Sequence, residues 1–190
     1  IKVNLYKNYC EILGNGINGF RYKKNLTIDA KNSGTLGRLI LGLLIKSPEK
    51  IRLIGDKSLS KRDFSRVTTP LKKFGARFFY KTKNKLPLSI LGSKNVKGIK
   101  YLENKGSAQC KSSIMLAALN ASGTTSIKAK KSRNHSELLF KFLKIPIKIK
   151  KTKQYDFIDI KEPKKIRSFN YQIPGDISSS AFFMVLTTLT

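Results

Sequence analysis

The sequence predicts a mixed α/β fold, with buried helices surrounded by sheets, assembled from a repeated β-helix-β-helix-β-β unit. Two observations carry this. Three small-polar helix starts recur at near-equal spacing: Ser33 in Asn32-Ser33-Gly34-Thr35, Ser107 in Gly106-Ser107-Ala108-Gln109 and Ser178 in Gly175-Asp176-Ile177-Ser178-Ser179, separated by 74 and then 71 residues. Each follows a strand-like run (26–28, 99–102 and 169–173) and leads into an apolar run. The second half of the unit repeats as well. Arg62 and Arg133 stand 71 residues apart, each between a strand-like run (51–54 or 125–127) and a one-sided apolar helix.

The elements follow in order. Residues 1–28 hold strand-like runs at 1–5, 10–13 and 26–28, with turns at Gly14-Asn15-Gly16 and Asn18-Gly19, and read as closing strands of an earlier unit. Residues 29–98 make one unit and 99–173 the next. In the first, Leu36, Leu39, Ile40, Leu43 and Leu44 recur at i, i+3, i+4, i+7 and i+8, which predicts one apolar helical face. Gly37 carries no signal in that pattern. Phe64, Val67, Leu71 and Phe74 predict a second helix, with Pro70 expected to kink or break it and Gly75 to stop it. Strand-like runs at 88–90 and 99–101 are expected to close the unit. In the second unit, apolar helices are expected at 113–119 and from His135 to Leu143, with Pro146 beyond the latter. Residues 148–153 read as a charged hairpin end, and Glu162-Pro163-Lys164-Lys165 as a turn. The helices starting at Leu36, Ser113 and Ile177 are apolar on most faces and are expected to be buried; those at Phe64 and His135 are one-sided and should cover the surface. The chain opens on Ile1 without an initiator Met and stops within the apolar run Phe182-Phe183-Met184-Val185-Leu186. We therefore expect a piece cut at both ends.

Forty per cent apolar content supplies a real core. No apolar run approaches the roughly 20 residues of a membrane span. Cys10 and Cys110 do not form a disulfide framework, and His135, the one histidine, stands at a helix start with no metal-ligand partners in spacing. The net charge of +28 raises the possibility of a polyanion partner. However, the lysines are scattered through every segment and no base-stacking aromatic ladder accompanies them. A solvated surface is the better reading, with steering of small phosphorylated molecules as its consequence.

The helix starts carry the chemistry. Asn32 and Ser33 are N-cap residues, and Gly34 lets the backbone approach a ligand closely. A capped first turn presents unpaired N–H groups and the positive end of the helix dipole to a phosphate or carboxylate. Arg38, one turn in, adds a full charge.

Five motifs stand in order: Asn32-Ser33-Gly34-Thr35 with Arg38; Gly55-Asp56 with Lys61-Arg62; Ser107-Ala108-Gln109 with Lys111-Ser112; Ser132-Arg133-Asn134-His135; and Gly175-Asp176-Ile177-Ser178-Ser179. Together they resemble the enolpyruvyl transferases, in particular the branch acting on shikimate 3-phosphate in aromatic amino-acid biosynthesis. The resemblance implies a cytoplasmic, monomeric enzyme of two domains with three repeats each. It implies two small-molecule substrates, shikimate 3-phosphate and phosphoenolpyruvate, with no cofactor or metal and neither membrane nor nucleic acid as partner. Residues 1–175 would form the shikimate-3-phosphate-binding domain with its first repeat incomplete, and 176–190 the start of the return into the second domain, with Asp176 as an N-cap at the hinge. By the same resemblance, Gly34, Arg62 and Gln109 would contact phosphoenolpyruvate, and Gly34 would leave room for the inhibitor glyphosate. Ser107, Ala108, Gln109, Ser132 and Arg133 would hold shikimate 3-phosphate. The acid–base groups would come from outside this chain, leaving no catalytic residue here. Asp63 departs from the family's proline after the Lys-Arg step, and a carboxylate there is expected to weaken the hold of Arg62 on an anion. Asn134 and Ser136 replace an Asp and a Thr. The sister branch, which uses a UDP-sugar (UDP-N-acetylglucosamine), carries a cysteine within the stretch matching 55–62, and none is present here. A basic nucleic-acid-binding module is the reading from a different class.

Overall fold

The computed structural model describes residues 2–17, 19–175 and 177–189, the side chains of 177–179 excepted. Two copies of one unit make up most of it. In the first, β3 (Thr27–Asp29), α1 (Gly34–Leu43), β4 (Ile51–Ile54), the short α2 (Lys57–Lys61), α3 (Ser65–Lys73), β5 (Arg77–Tyr80) and β6 (Leu88–Leu91) follow in sequence. In the second, β7 (Lys100–Glu103), α4 (Ala108–Ala118), β8 (Thr124–Lys130), α5 (His135–Phe142), β9 (Ile147–Lys151) and β10 (Tyr155–Lys161) do the same. The sheets have matching strand orders, β3-β4-β6-β5 and β7-β8-β10-β9. In each, the two strands flanking the first helix are parallel, and the closing pair is antiparallel. An antiparallel hairpin of β1 (Lys2–Leu5) and β2 (Cys10–Leu13) precedes them, and α6 (Ile177–Leu189) follows.

The repeat is as the sequence predicts, but several boundaries differ. Ile99 to Tyr101 does not close the first unit. Lys100–Glu103 opens the second, parallel to β8, and the missing closing strand is Arg77–Tyr80. Residues 26–28 likewise overlap β3, which opens the first unit. Lys148 to Lys151 belong to β9, where Ile147 and Ile149 face inward between solvated lysines. Residues 169–173 form no strand; Phe169 and Tyr171 instead set their rings edge-on to Phe142. The helix expected from Ser113 begins at Ala108, directly on the Ser107 cap. The N-cap role expected for Asp176 lies outside the described residues. The α6 side chains of Phe182, Phe183 and Leu189 are exposed, so the expectation that this helix is buried does not hold within this chain.

The helix α1 corrects the apolar-face reading. Leu36 is 44% exposed, and the buried residues of the helix are Gly34, Gly37, Leu41 and Gly42. The reason is the close approach of α4. A Cβ on Gly42 would lie 2.2 Å from the Ser113 carbonyl oxygen, and one on Gly37 would touch the Phe64 ring at 3.4 Å. Glycine contributes nothing to a hydrophobic count, yet here it lets two backbones meet. Around this contact, Leu41, Ile45, Leu53, Phe64, Leu71, Ile90, Ile114, Met115, Ile127 and Ile158 form the core.

Pro70 lies in α3, which nevertheless runs unbroken from Ser65 to Lys73. Proline has no N–H to return to the carbonyl four residues earlier, which here is Arg66. The Cys110 thiol donates to that carbonyl at 2.9 Å. A donor from the neighbouring helix thus occupies an acceptor that would otherwise be lost to the interior. Burial pushes the Cys110 thiol up to about 12.

Two outcomes follow. Gly42→Ala should destabilise the protein by about 3 kcal/mol through overpacking, lowering Tm by roughly 10 °C, whereas Gly37→Ala should stay within about 1 kcal/mol; parallel thermal melts check the contrast. An aromatic disulfide reagent near pH 8 should titrate the exposed Cys10 rapidly and Cys110 only after denaturant is added. Two fast thiols per chain would contradict the thiol–carbonyl contact.

Candidate functional site

The four loops bearing the expected residues share one origin. Each leaves the C-terminal end of a strand in a parallel pair: β3 to α1, β4 to α2, β7 to α4 and β8 to α5. Parallel pairing puts both loops of a unit at the same sheet end. The contacts between α1 and α4 then bring the two units' loops together.

On the first unit, Ser33 caps α1, its hydroxyl accepting from Leu36 N at 3.0 Å. Asn32 Nδ2 donates to Asp56 Oδ2 at 2.5 Å, and Asp56 Oδ1 accepts from Leu59 N at 2.7 Å, capping α2. These bonds, Leu59's first and then Asn32's, hold the Asp56 carboxyl below the ordinary carboxylate range. The two loops are thereby joined. The short helix α2, absent from the sequence expectations, delivers Arg62 as its C-cap.

Gly34 lies where two guanidiniums meet. A Cβ there would be 3.2 Å from Arg38 Nη1 and 3.2 Å from Arg62 Nη1. Arg38 Nη1 donates to Gln109 Oε1 at 2.6 Å, and Gln109 Nε2 donates to Thr35 Oγ1 at 3.1 Å. Gln109 therefore bridges the first turns of α1 and α4. The Arg38 guanidinium also stacks 5.5 Å from the Phe64 ring centre. Burial, followed by the charges of Arg62 and Arg66, presses its proton affinity below the ordinary value. Among the described residues, none of Arg38, Arg62 and Arg66 forms an ion pair within 4.0 Å. Arginine stays charged under such repulsion, so the cluster is a field that an anion would relieve.

Asp63, expected to weaken Arg62, commits one oxygen to the backbone, while its charge still acts on Arg38. Its Oδ1 accepts from Ser65 N at 2.5 Å at the start of α3. Hydrogen bonding from Ser65, its side chain first and then its amide, with Arg66 and Lys105 behind it, holds the carboxyl low.

On the second unit, Ser107 caps α4 by accepting from Cys110 N at 3.2 Å, and Ala108 is the first helical residue. The loop passes close to the other one: a Cβ on Gly106, whose φ is +67°, would lie 3.3 Å from Lys131 O. Next to Lys131, the Ser132 hydroxyl is buried and has no hydrogen-bond partner among the described residues. The Arg133 side chain is exposed. The structure thus gathers Gly34, Arg62, Ser107, Ala108 and Gln109 along one rim and sets Ser132–Arg133 beside its second half.

Sequence reasoning noted Arg38 only as an added charge and left Thr35 without a role. It named Lys111 only within a motif and passed over Glu137; the two pair at 2.5 Å with side chains 0% and 4% exposed. The available signal was a lysine as the one charged residue of the helix Ala108–Ala118. His135 stands exposed at the first position of α5, and among the described residues no three His, Cys, Asp or Glu side chains cluster as metal ligands. A concavity of about 530 Å³ lies elsewhere, between Lys73 of α3 and strands β7, β8 and β10, and carries none of these residues.

Comparison with known proteins converges on one family. Residues 2–190 match the family model described as EPSP synthase (3-phosphoshikimate 1-carboxyvinyltransferase). A 3-phosphoshikimate 1-carboxyvinyltransferase of Thermotoga sp. (strain RQ2) is 44% identical over 156 residues, covering 82% of this chain and 36% of the relative. One from Ruthia magnifica is 40% identical over 191 residues, covering 100% of this chain and 42% of the relative. The EPSP synthase of Acinetobacter baumannii, solved at 2.37 Å, superposes with a TM-score of 0.83 at 35% identity, over 97% of this chain and 41% of that one. The chain spans about two-fifths of the length of these relatives. On the match across residues 2–190 and the shared fold, the chain belongs to the EPSP synthase (3-phosphoshikimate 1-carboxyvinyltransferase) family.

Proposed function

We propose that the whole protein transfers the enolpyruvyl group of phosphoenolpyruvate to the 5-hydroxyl of shikimate 3-phosphate, releasing phosphate, and that this chain holds about half of the site. The observation that carries the reading is the Arg38–Gln109–Thr35 bridge. It ties the rim bearing Gly34 and Arg62 to the helix start bearing Ser107 and Ala108. Two anionic substrates that must react with each other need their binding groups joined in this way.

In this reading Arg62 and Arg38 grip the phosphoenolpyruvate anion over Gly34, whose missing side chain leaves space for it. The planar guanidinium suits bidentate recognition of phosphate or carboxylate. Gln109 stands between the substrates. Ser107, Ala108, Ser132 and Arg133 hold shikimate 3-phosphate. The reaction adds the 5-hydroxyl to the phosphate-bearing carbon, with a proton delivered to the methylene carbon and another removed from the hydroxyl. Elimination of phosphate, with loss of a proton from the methyl group so formed, then restores the double bond. This chain's residues bind, align and screen charge. The acid–base groups belong to the remainder of the protein, so the isolated chain binds without turnover.

Calorimetry with shikimate 3-phosphate tests the reading. We expect saturable binding weakened about tenfold or more in Arg133→Ala and Ser107→Ala, since a charge-assisted bond contributes about 1.5–3 kcal/mol. DNA binding that falls steeply with salt, with no shikimate 3-phosphate effect on Tm, would replace the enzyme reading with the polyanion one. A second expectation concerns Gly34. A Cβ there meets two guanidinium ends at 3.2 Å and a Leu59 methyl at ordinary contact distance, 3.7 Å, so Gly34→Ala should leave Tm within about 2 °C. In the full-length protein it should weaken phosphoenolpyruvate and glyphosate by about three- to thirtyfold. Equal inhibition of both proteins by glyphosate would count against the role given to Gly34.

A further inference from the structure

We infer that the buried Lys111–Glu137 pair, with the Ser112–Ser136 contact beside it, is a positioning joint that sets Ser132 and Arg133 against Ser107 and Gln109. The inference rests on reading those four residues as shikimate 3-phosphate contacts.

The joint links the starts of two helices. Lys111 Nζ lies 2.5 Å from Glu137 Oε1, and the hydroxyls of Ser112 and Ser136 are 2.6 Å apart. Lys111 follows Gln109 by two residues, and Glu137 follows Arg133 by four. The segment between β8 and α5 is therefore held at both ends. On one side, β8 pairs with β10 up to Lys130–Tyr155. On the other side stands the joint.

Little else fixes the beginning of α5. Asn134 makes no side-chain capping bond, and only Glu137 and Phe140 of the helix are buried. A glutamate in the first turn commonly reaches back toward its own cap or the helix dipole. Glu137 reaches across to α4 instead.

Stability is a poor explanation for such a pair. Taking two charges out of water costs free energy that their attraction does not reliably return, and apolar replacements are often neutral or stabilising. Neither Lys111 Nζ nor Glu137 Oε2 forms a regular hydrogen bond among the described residues. The best-attested use of a buried ion pair is to select one register among several. Here the register is that of α5 against α4. An apolar contact would let the short helix slide and rotate; a paired charge with one partner would not.

The test compares the 190-residue chain with Lys111→Met, Glu137→Gln and the double variant Lys111→Met/Glu137→Leu. Each is measured by thermal melting, calorimetry with shikimate 3-phosphate, and amide hydrogen exchange over 131–138. Each single variant leaves a buried charge without its counter-charge and should lose both Tm and affinity. The double variant separates the roles. It should recover Tm to within about 2 °C of the parent, yet bind shikimate 3-phosphate about tenfold more weakly and exchange faster across 131–138. Recovery of Tm, affinity and protection together would overturn the inference. If the double variant does not fold, Ser112→Ala and Ser136→Ala take its place, with about threefold weaker binding and faster exchange expected; unchanged values in both overturn it. Should the parent chain bind no shikimate 3-phosphate, the functional reading fails, and exchange over 131–138 alone decides the joint.

Discussion

The structure depends on the approach of α1 to α4. Contacts between these helices join residues 71, 74 and 75 positions apart: Arg38 to Gln109, Thr35 to Gln109, and Ser113 to Arg38. That is the period of the sequence repeat. Corresponding turns of the two copies therefore face each other, and the helices run in the same direction. Gly42 allows this by offering no side chain to the Ser113 carbonyl. With both helices pointing one way, their positive ends lie together. Three guanidiniums gather at the same rim and add their charges to that field.

The sequence spacing made the repeat legible because the same local events recur. A strand ends, a small polar residue caps, and an apolar helix begins. Ser33 and Ser107 do cap their helices. Phe64, Val67, Leu71 and Phe74 are all buried, as a 3.6-residue period requires. What spacing could not supply is which side of an all-apolar helix faces inward. For α1 the leucines suggested one face, whereas the glycines mark the tighter contact. Strand β5, Arg77–Tyr80, was hidden because its half-buried and exposed positions are both aromatic or long, so alternation is weak.

The site was legible in part for a related reason. Gly34, Arg62 and Gln109 stand in motifs whose chemistry is local, and they meet as those motifs suggest. Arg38 needed three dimensions, because its partner Gln109 lies 71 residues away. Adjacency in sequence suggested that Asp63 would weaken the hold of Arg62 on an anion; its Oδ1 is engaged by the amide of Ser65, while its charge still reaches Arg38. The two copies have also diverged. The first carries the extra helix α2 before its second long helix, and the second goes directly from β8 into α5. The copies therefore present Arg62 and Arg133 from different backbone settings at equivalent places in the repeat.

The contact between Cys110 and the carbonyl of Arg66 has a consequence for how this protein can change over generations. Proline at 70 removes an amide from α3, and position 110 supplies the missing donor from another helix. The two positions are thus bound into one heritable unit. A lineage that replaces proline by an ordinary helix former restores the amide and frees position 110 to become alanine or valine. One that keeps the proline must retain serine, cysteine or another small donor there. The order of substitution matters too, since proline can be surrendered first without leaving an acceptor stranded, while the thiol cannot.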